Sequence, residues 1–287
     1  MNNTVIACVD GSPSTRAVCE YAAWAAALLD SPLSLLYVLE KDAHPAVSDL
    51  TGSIGIDSQA HLTEELVKVE GERSRLLMAQ GKAILAGCAE LLNDAGHADV
   101  QLLQKHGALD EILADLGDVR LMVLGRRGTQ NPVGSHLERI IRLQKKPVLI
   151  VPEAYSTPTK VMFAYDGSDE SRKNLTRLTL SPLLNGLVCH IVMVKGDTRT
   201  LQEAQNVLQE AGITTESHIL EGTSVADALC RYANENGINL IVMGAYGTFA
   251  IAAILYRQQH HRHVGKNTNS TLNAEVIFVP GNNSGDK

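Results

Sequence analysis

The sequence predicts two α/β domains in tandem, each a five-stranded parallel sheet with helices on both faces, and three observations carry that prediction. The first is an internal repeat. Val5-Ile-Ala-Cys-Val-Asp-Gly-Ser-Pro-Ser-Thr-Arg16 returns 156 residues later as Val161-Met-Phe-Ala-Tyr-Asp-Gly-Ser-Asp-Glu-Ser-Arg172. Two further pairs recur in the same order: Leu121-Met-Val-Leu-Gly125 with Leu240-Ile-Val-Met-Gly244, and Pro147-Val-Leu-Ile-Val-Pro152 with Glu275-Val-Ile-Phe-Val-Pro280. Three matched landmarks in the same order are the mark of duplication. The second observation is that short, wholly apolar runs alternate with longer helical patterns, as in βαβ units whose strands are buried on both faces. The third is size and composition: 287 residues, 45% apolar and 20% charged, suit two globular domains of roughly 100–200 residues.

In the first half, Val5–Val9 reads as a strand, followed by Ser12 as helix N-cap with Pro13 at the first helical position. Val18, Tyr21, Ala22, Ala25 and Leu29 then recur at helical spacing. Strands follow at Leu33–Leu39, Val100–Gln104, Leu121–Leu124 and Val148–Val151. A third helix is marked by Leu109, Ile112, Leu113 and Leu116, and a fourth by Leu137, Ile140, Ile141 and Gln144. Between the second and third strands lies a polar loop containing Thr51-Gly-Ser-Ile-Gly55, then a long helix from about Ser58 to Ala95. Its early turns are crowded with Glu64, Glu65, Lys68, Glu70, Glu72 and Arg73, which reads as a solvated face or as a lid or docking helix. The second half repeats the strands at Val161–Ala164, Leu187–Val194, Thr215–Leu220, Leu240–Met243 and Val276–Val279 and is shorter by the length of that insertion. The expected organisation is a first domain over 1–152, a polar linker over 153–159 and a second domain over 160–287. The fifth strand of each half is an apolar edge, and such edges are expected to pair the domains.

Composition removes several functions. Lys plus Arg total 25 against 32 Asp plus Glu, a net charge of −7, whereas a phosphate-tracking nucleic-acid binder carries a basic excess. Three phenylalanines and one tryptophan offer few platforms for stacking bases. Apolar runs such as 22–29 and 251–256 fall far short of the ~20 residues that cross a bilayer, and the start of the chain has no charged leader. A cytoplasmic protein that uses neither nucleic acid nor membrane is expected. The five cysteines, Cys8, Cys19, Cys88, Cys189 and Cys230, are scattered among apolar neighbours and read as reduced core thiols.

Doubly wound sheets bind ligands beyond the carboxyl ends of their strands, where helix N-termini present free N–H groups. In the first half that edge gathers Asp10-Gly11-Ser12, Val38 to Glu40, and the run Gly125-Arg-Arg-Gly128-Thr-Gln-Asn-Pro-Val-Gly134-Ser135. Glycines let a loop bend closely around a ligand, Ser135 can cap the following helix, and Arg126 and Arg127 add positive charge in an acidic chain. Asp10 can accept hydrogen bonds from a ribose hydroxyl or an adenine amino group. The pattern points to a phosphate and nucleoside site, while a turn plus N-cap explains Asp-Gly-Ser equally well.

This conjunction resembles the universal stress protein family in its tandem form, over nearly the whole chain. The resemblance implies a flavodoxin-like, adenine nucleotide alpha hydrolase-like fold, with two such domains packed as a pseudo-dimer. Its nucleotide-binding members carry Val-Asp-Gly-Ser at a strand end, as in Val9 to Ser12, and Gly-x-x-Gly followed after about nine residues by Gly-Ser or Gly-Thr. Matched residue by residue, the family pattern places adenosine-side contacts at Val9, Asp10 and Val38, and phosphate and ribose contacts at Gly125, Arg127, Gly128, Gly134 and Ser135. The implied ligand is ATP, with or without magnesium, in the first domain alone, and the implied role is a stress response exerted through a homodimer or another protein partner. Two departures from the family are visible. Only Thr129 to Val133 separate Gly128 from Gly134, and in the second half Arg257-Gln258 stands where the pattern wants Gly-Ser, so the second phosphate grip is expected to be lost.

No catalytic set is legible: there is no Gly-x-x-x-x-Gly-Lys-Ser/Thr loop, no Gly-x-Ser-x-Gly elbow and no His-Glu-x-x-His. At most weak ATP hydrolysis is expected. The histidine run His260, His261 and His263 cannot point one way on a regular helix, and no metal site is assigned. The rival reading is a nucleotide-free interaction module that binds a protein or a small hydrophobic ligand through the long first-half helix.

Overall fold

Strands with no polar face can be satisfied only inside a sheet covered above and below, and the chain builds such a sheet. The computed structural model describes residues 3–40, 56–126, 135–244 and 275–279. In chain order the first half contains β1 (Thr4–Cys8), α1 (Thr15–Leu29), β2 (Leu33–Leu39), α2 (Ile56–Asp94), β3 (Val100–His106), α3 (Leu109–Asp115), β4 (Val119–Gly125), α4 (Ser135–Leu143) and β5 (Val148–Val151). The second contains β6 (Lys160–Ala164), α5 (Asp169–Thr179), β7 (Val188–Val194), α6 (Thr198–Glu210), β8 (Thr215–Leu220), α7 (Val225–Glu235), β9 (Leu240–Gly244) and β10 (Glu275–Val279).

Among the described residues these strands form one ten-stranded sheet in the order β3-β2-β1-β4-β5-β10-β9-β6-β7-β8. Within each half every pairing is parallel. The halves meet at the fifth strands, as their apolar edges lead one to expect. There β5 and β10 run antiparallel, with Val276 opposite Ile150, Ile277 opposite Leu149 and Phe278 opposite Val148. Each half is doubly wound with the order 3-2-1-4-5, the dinucleotide-fold order, where flavodoxin itself runs 2-1-3-4-5. Hydrophobic periodicity identifies strands without saying which side of β1 each crossover reaches.

That order puts α1, α2, α5 and α6 on one face and α3, α4 and α7 on the other. Each face has its own core, and each core runs without a break from one half into the other. The helical spacing read in α1 is realised: Val18, Tyr21, Ala22, Ala25 and Leu29 are all buried. In α4 Leu137, Ile140 and Ile141 are buried, and Gln144, one residue beyond the helix, is buried with them. Asp110 in the first turn of α3 is buried against the Arg139 guanidinium of α4 at 2.7 Å, which ties down the helix that follows the glycine-rich loop. The outer strands are polar, with Gln101, Gln104, Lys105 and His106 on β3 and Thr215, Glu216, Ser217 and His218 on β8; such edges resist further pairing.

One expectation is corrected. Ser12 does not cap α1 and Pro13 is not its first residue: the chain turns once more, with the Thr15 N–H donating to the Ser12 carbonyl at 3.0 Å, and α1 begins at Thr15. The second half follows the simpler course, because Ser168 does cap α5 and its hydroxyl accepts the Ser171 N–H at 3.2 Å. The polar stretch between the halves is held in place. Buried Tyr21 donates its hydroxyl to the Ser156 carbonyl and accepts the Ser156 N–H, both at 3.0 Å, with the Tyr155 ring edge-on at 4.6 Å. All five cysteines are free, and burial pushes the Cys8 and Cys189 thiols up to about 12, which leaves them unreactive.

The extra length of the first half lies between β2 and β3, where α2 is 39 residues long, about 58 Å at 1.5 Å per residue, against 13 for α6 at the matching place in the second half. Its C-terminal part lies on the sheet through Leu85, Cys88 and Leu92. Residues 67–76 are exposed all round, including Val67, Val69 and Leu76. Among the described residues no helix is long and apolar enough to cross a membrane.

Candidate functional site

The strand order changes direction between β1 and β4, and ligands of such sheets bind in the crevice beyond the carboxyl ends at that switch point. Cys8 of β1 is level with Leu36 of β2 and Leu124 of β4. Two residues further along each strand end are Asp10, Val38 and Arg126, so the sheet register brings these three to one edge. Val9 is buried and its N–H donates to the Leu36 carbonyl at 2.9 Å. Gly125 closes β4 opposite Val151, whose carbonyl accepts the Arg126 N–H at 2.9 Å. Ser135 is the first residue of α4. Arg127, Gly128 and Gly134 lie outside the described residues, as do His260, His261 and His263 and the Arg257-Gln258 departure.

Asp10 builds its own turn. Its Oδ1 accepts the Ser12 N–H at 3.0 Å and the Thr15 hydroxyl at 3.3 Å, while Gly11 takes φ +76°. That left-handed conformation favours glycine, and a Cβ there would also meet the Ile84 methyl of α2 at 2.8 Å. Thus α2 closes over the turn, and Asp10 lies near enough to buried Tyr37 for its charge to add to the burial that raises the phenol. The turn recurs at Asp166, whose Oδ1 accepts the Ser168 N–H at 3.0 Å with Gly167 at φ +76°. Burial, the largest influence, pulls the Asp166 carboxyl up, but hydrogen bonds led by those from the Ser168 hydroxyl at 2.6 Å and N–H at 3.0 Å hold it below its ordinary range. The shared glycine torsion and Asp-to-Ser distance show that the repeat is structural as well as sequential.

A second constellation, absent from the sequence reading, lies in the other half. His190 on β7 pairs directly with Glu216 on β8, and His218 is two residues along the same face. The His190 Nδ1 is 2.8 Å from the Tyr232 hydroxyl of α7 and 3.8 Å from Glu216 Oε2, and the His218 Nε2 is 3.6 Å from that oxygen. The two imidazoles stack at 5.8 Å. The only hint in the sequence was alternation, since Glu216 and His218 share one strand face; the partner strand that brings His190 to them is set by topology.

Burial keeps His190 below the ordinary histidine range. The groups around it are Glu216, whose charge opposes the shift, His218 and Lys160, whose charges add to it, and the Tyr232 phenol, which burial pushes up to about 12. The folded chain therefore refuses a proton that the unfolded chain accepts near pH 6.5. Stability from this group is present above that pH and is lost as pH falls through the lower folded value. Urea midpoints measured between pH 7.5 and 5 should fall on the acid side, and fall less in His190→Asn; equal slopes would reject the assignment.

Comparison with known proteins agrees with the architecture. The model of the universal stress protein family matches residues 1–152 and 192–261, one segment in each half of the repeat. A curated relative, Universal stress protein Slr1230 of Synechocystis sp., is 38% identical over 290 residues, covering 96% of this chain and 98% of that protein. Among solved structures, a universal stress protein of Archaeoglobus fulgidus superposes with a TM-score of 0.62 at 18% identity, over 98% of this chain and 97% of that one. A second, from Pseudomonas aeruginosa, gives 0.60 at 17% identity over 97% and 93%. With the family model covering most of the chain and a full-length relative at that identity, the chain belongs to the universal stress protein family.

Proposed function

We propose that the crevice between the ends of β1 and β4 binds an adenine nucleotide, ATP with its magnesium, and that a protein partner or a second copy of the chain reads the occupied state in a stress response. The observation that carries this reading is the register that sets Asp10, Val38 and Gly125-Arg126 at one level beside the switch point. There Val9 and Val38 would border the adenosine, and the Asp10 carboxylate would accept from ribose or adenine. Gly125, Arg127, Gly128, Gly134 and the N-terminus of α4 at Ser135 would hold phosphates, as helix N-termini do. The second half keeps the Asp166 turn but carries Arg257 in place of a close-approach glycine, so one nucleotide per chain is the expected stoichiometry. No catalytic role is assigned to any residue.

Calorimetric titration of ATP–magnesium tests this. Binding near one per chain, abolished by Gly134→Arg and weakened by Asp10→Ala, is the expected outcome; no heat with either protein overturns it. Light scattering of the same sample tests pairing, because a mass that stays at 30.9 kDa at micromolar concentration rejects the homodimer.

The projecting part of α2 supports a second reading, a docking module that needs no nucleotide. Val67, Val69 and Leu76 are exposed on it, and isolated exposed helices draw their stability from packing partners. On that reading Asp10→Ala leaves partner binding unchanged.

A further inference from the structure

We propose that His190, Glu216 and His218 form a binding site for one divalent transition-metal ion of the zinc type, at the outer edge of the sheet in the second half. Their ligand atoms all lie within 4.8 Å of one another. Around zinc, with bonds near 2.0–2.1 Å, tetrahedral ligands are roughly 3.4 Å apart. The 3.8 Å and 3.6 Å separations from Glu216 Oε2 are thus wider by a few tenths of an ångström, and the two imidazole nitrogens lie within 4.8 Å of each other, so the side chains would have to rotate inward to close around the ion.

The donor set selects the metal. Two imidazoles and one carboxylate suit zinc and its neighbours, whereas calcium and magnesium prefer oxygen alone. Three protein ligands leave a fourth position for water, and an entry path exists because the Glu216 side chain is 58% exposed and that of His218 38%, above a His190 side chain that is 5% exposed. All three donors stand on adjacent strands in fixed register, the rigid placement that metal sites need.

The metal-free arrangement also leaves polar groups unsatisfied. The Nε2 atoms of both His190 and His218 are buried and have no hydrogen-bond partner among the described residues. Buried polar atoms seldom go unpaired, and a cation between His218 Nε2 and Glu216 Oε2 would satisfy the His218 atom. The Tyr232 hydroxyl beside Nδ1 is the neighbour that must yield or become part of the surrounding shell.

The test uses the full chain, stripped with chelator, carrying Gln at His260, His261 and His263 so that this separate histidine run cannot contribute. Zinc is titrated calorimetrically and cobalt is added as a visible reporter of tetrahedral nitrogen and oxygen ligation. The expected result is one zinc per chain, a thermal midpoint that rises with zinc by mass action, and affinity reduced roughly tenfold or more in both His218→Gln and Glu216→Gln. The exposed Glu216 makes its variant the one least able to disturb folding, and unchanged far-ultraviolet dichroism checks this. Absence of binding at micromolar zinc, or binding undiminished in Glu216→Gln, overturns the proposal. Neither result bears on ATP binding, which concerns the other half of the chain.

Discussion

Replacing Ile150 by alanine is expected to destabilise the whole chain by about 2–5 kcal/mol, the range for emptying a buried aliphatic site. Ile150 is almost fully buried at the seam, opposite Val276, in the core shared by both halves. Because both cores cross the seam, the loss should be felt on either side of it. The single tryptophan, Trp24 on α1, reports the first half alone, while far-ultraviolet dichroism reports both. In the unaltered chain the two urea transitions should coincide, the signature of one cooperative unit. Coincident transitions with a lowered midpoint in Ile150→Ala support a common core. A chain whose dichroism falls in two steps before any substitution would show instead that the halves fold independently and that β5–β10 pairing adds little.

Two glycines of α2 are expected to respond to alanine with opposite signs. A glycine inside a helix ordinarily destabilises it by roughly 0.5–1 kcal/mol relative to alanine, so Gly87→Ala, where a Cβ meets nothing within 4 Å, should stabilise by about that amount. Gly81 is different. A Cβ there would fall 2.6 Å from the Tyr37 ring and 2.8 Å from the Gln104 amide nitrogen, and Gln104 already donates to the Met78 carbonyl of the same helix at 3.2 Å. Gly81→Ala should therefore cost about 1–3 kcal/mol, the usual range for overpacking, by prising α2 from β2 and β3. Chemical denaturation of the two variants side by side decides the matter. Equal stabilisation of both would mean that α2 does not sit on Tyr37 as described, and the covering of the Asp10 turn by Ile84 would fall with it.

Most of the architecture was legible before any coordinates. The ten strands stand where the sequence places them, with ends shifted by a few residues; the inner ones are the clearest, because a strand buried on both faces has few polar residues to confuse the reading, whereas β3 and β8 carry polar residues. The apolar spacing of α1 and the length of α2 were legible for the same reason. The start of α1 was not. Ser12-Pro13 has the chemistry of a cap, yet Asp10 takes the Ser12 N–H and Thr15 hydroxyl into its own turn, and local hydrogen bonding of this kind competes with helix initiation. For the candidate nucleotide site the motif identified Asp10, Val9, Val38 and Gly125, which the sheet brings to one edge. It named Arg127, which lies outside the described residues, whereas the strand register sets Arg126 level with Asp10 and Val38.

By itself the sequence determined the duplication, the α/β class, the buried strands and the residues at their carboxyl ends, since each of these follows from periodicity and from local backbone chemistry. Only the tertiary structure decided three further things. It set the order 3-2-1-4-5 in each half and the antiparallel seam, because crossover direction leaves no trace in periodicity. It gave Gly81 and Gly87 opposite consequences, because a Cβ is judged by its neighbours. It also brought His190 to Glu216 and His218, residues about 26 positions apart that the parallel pairing of β7 with β8 places side by side.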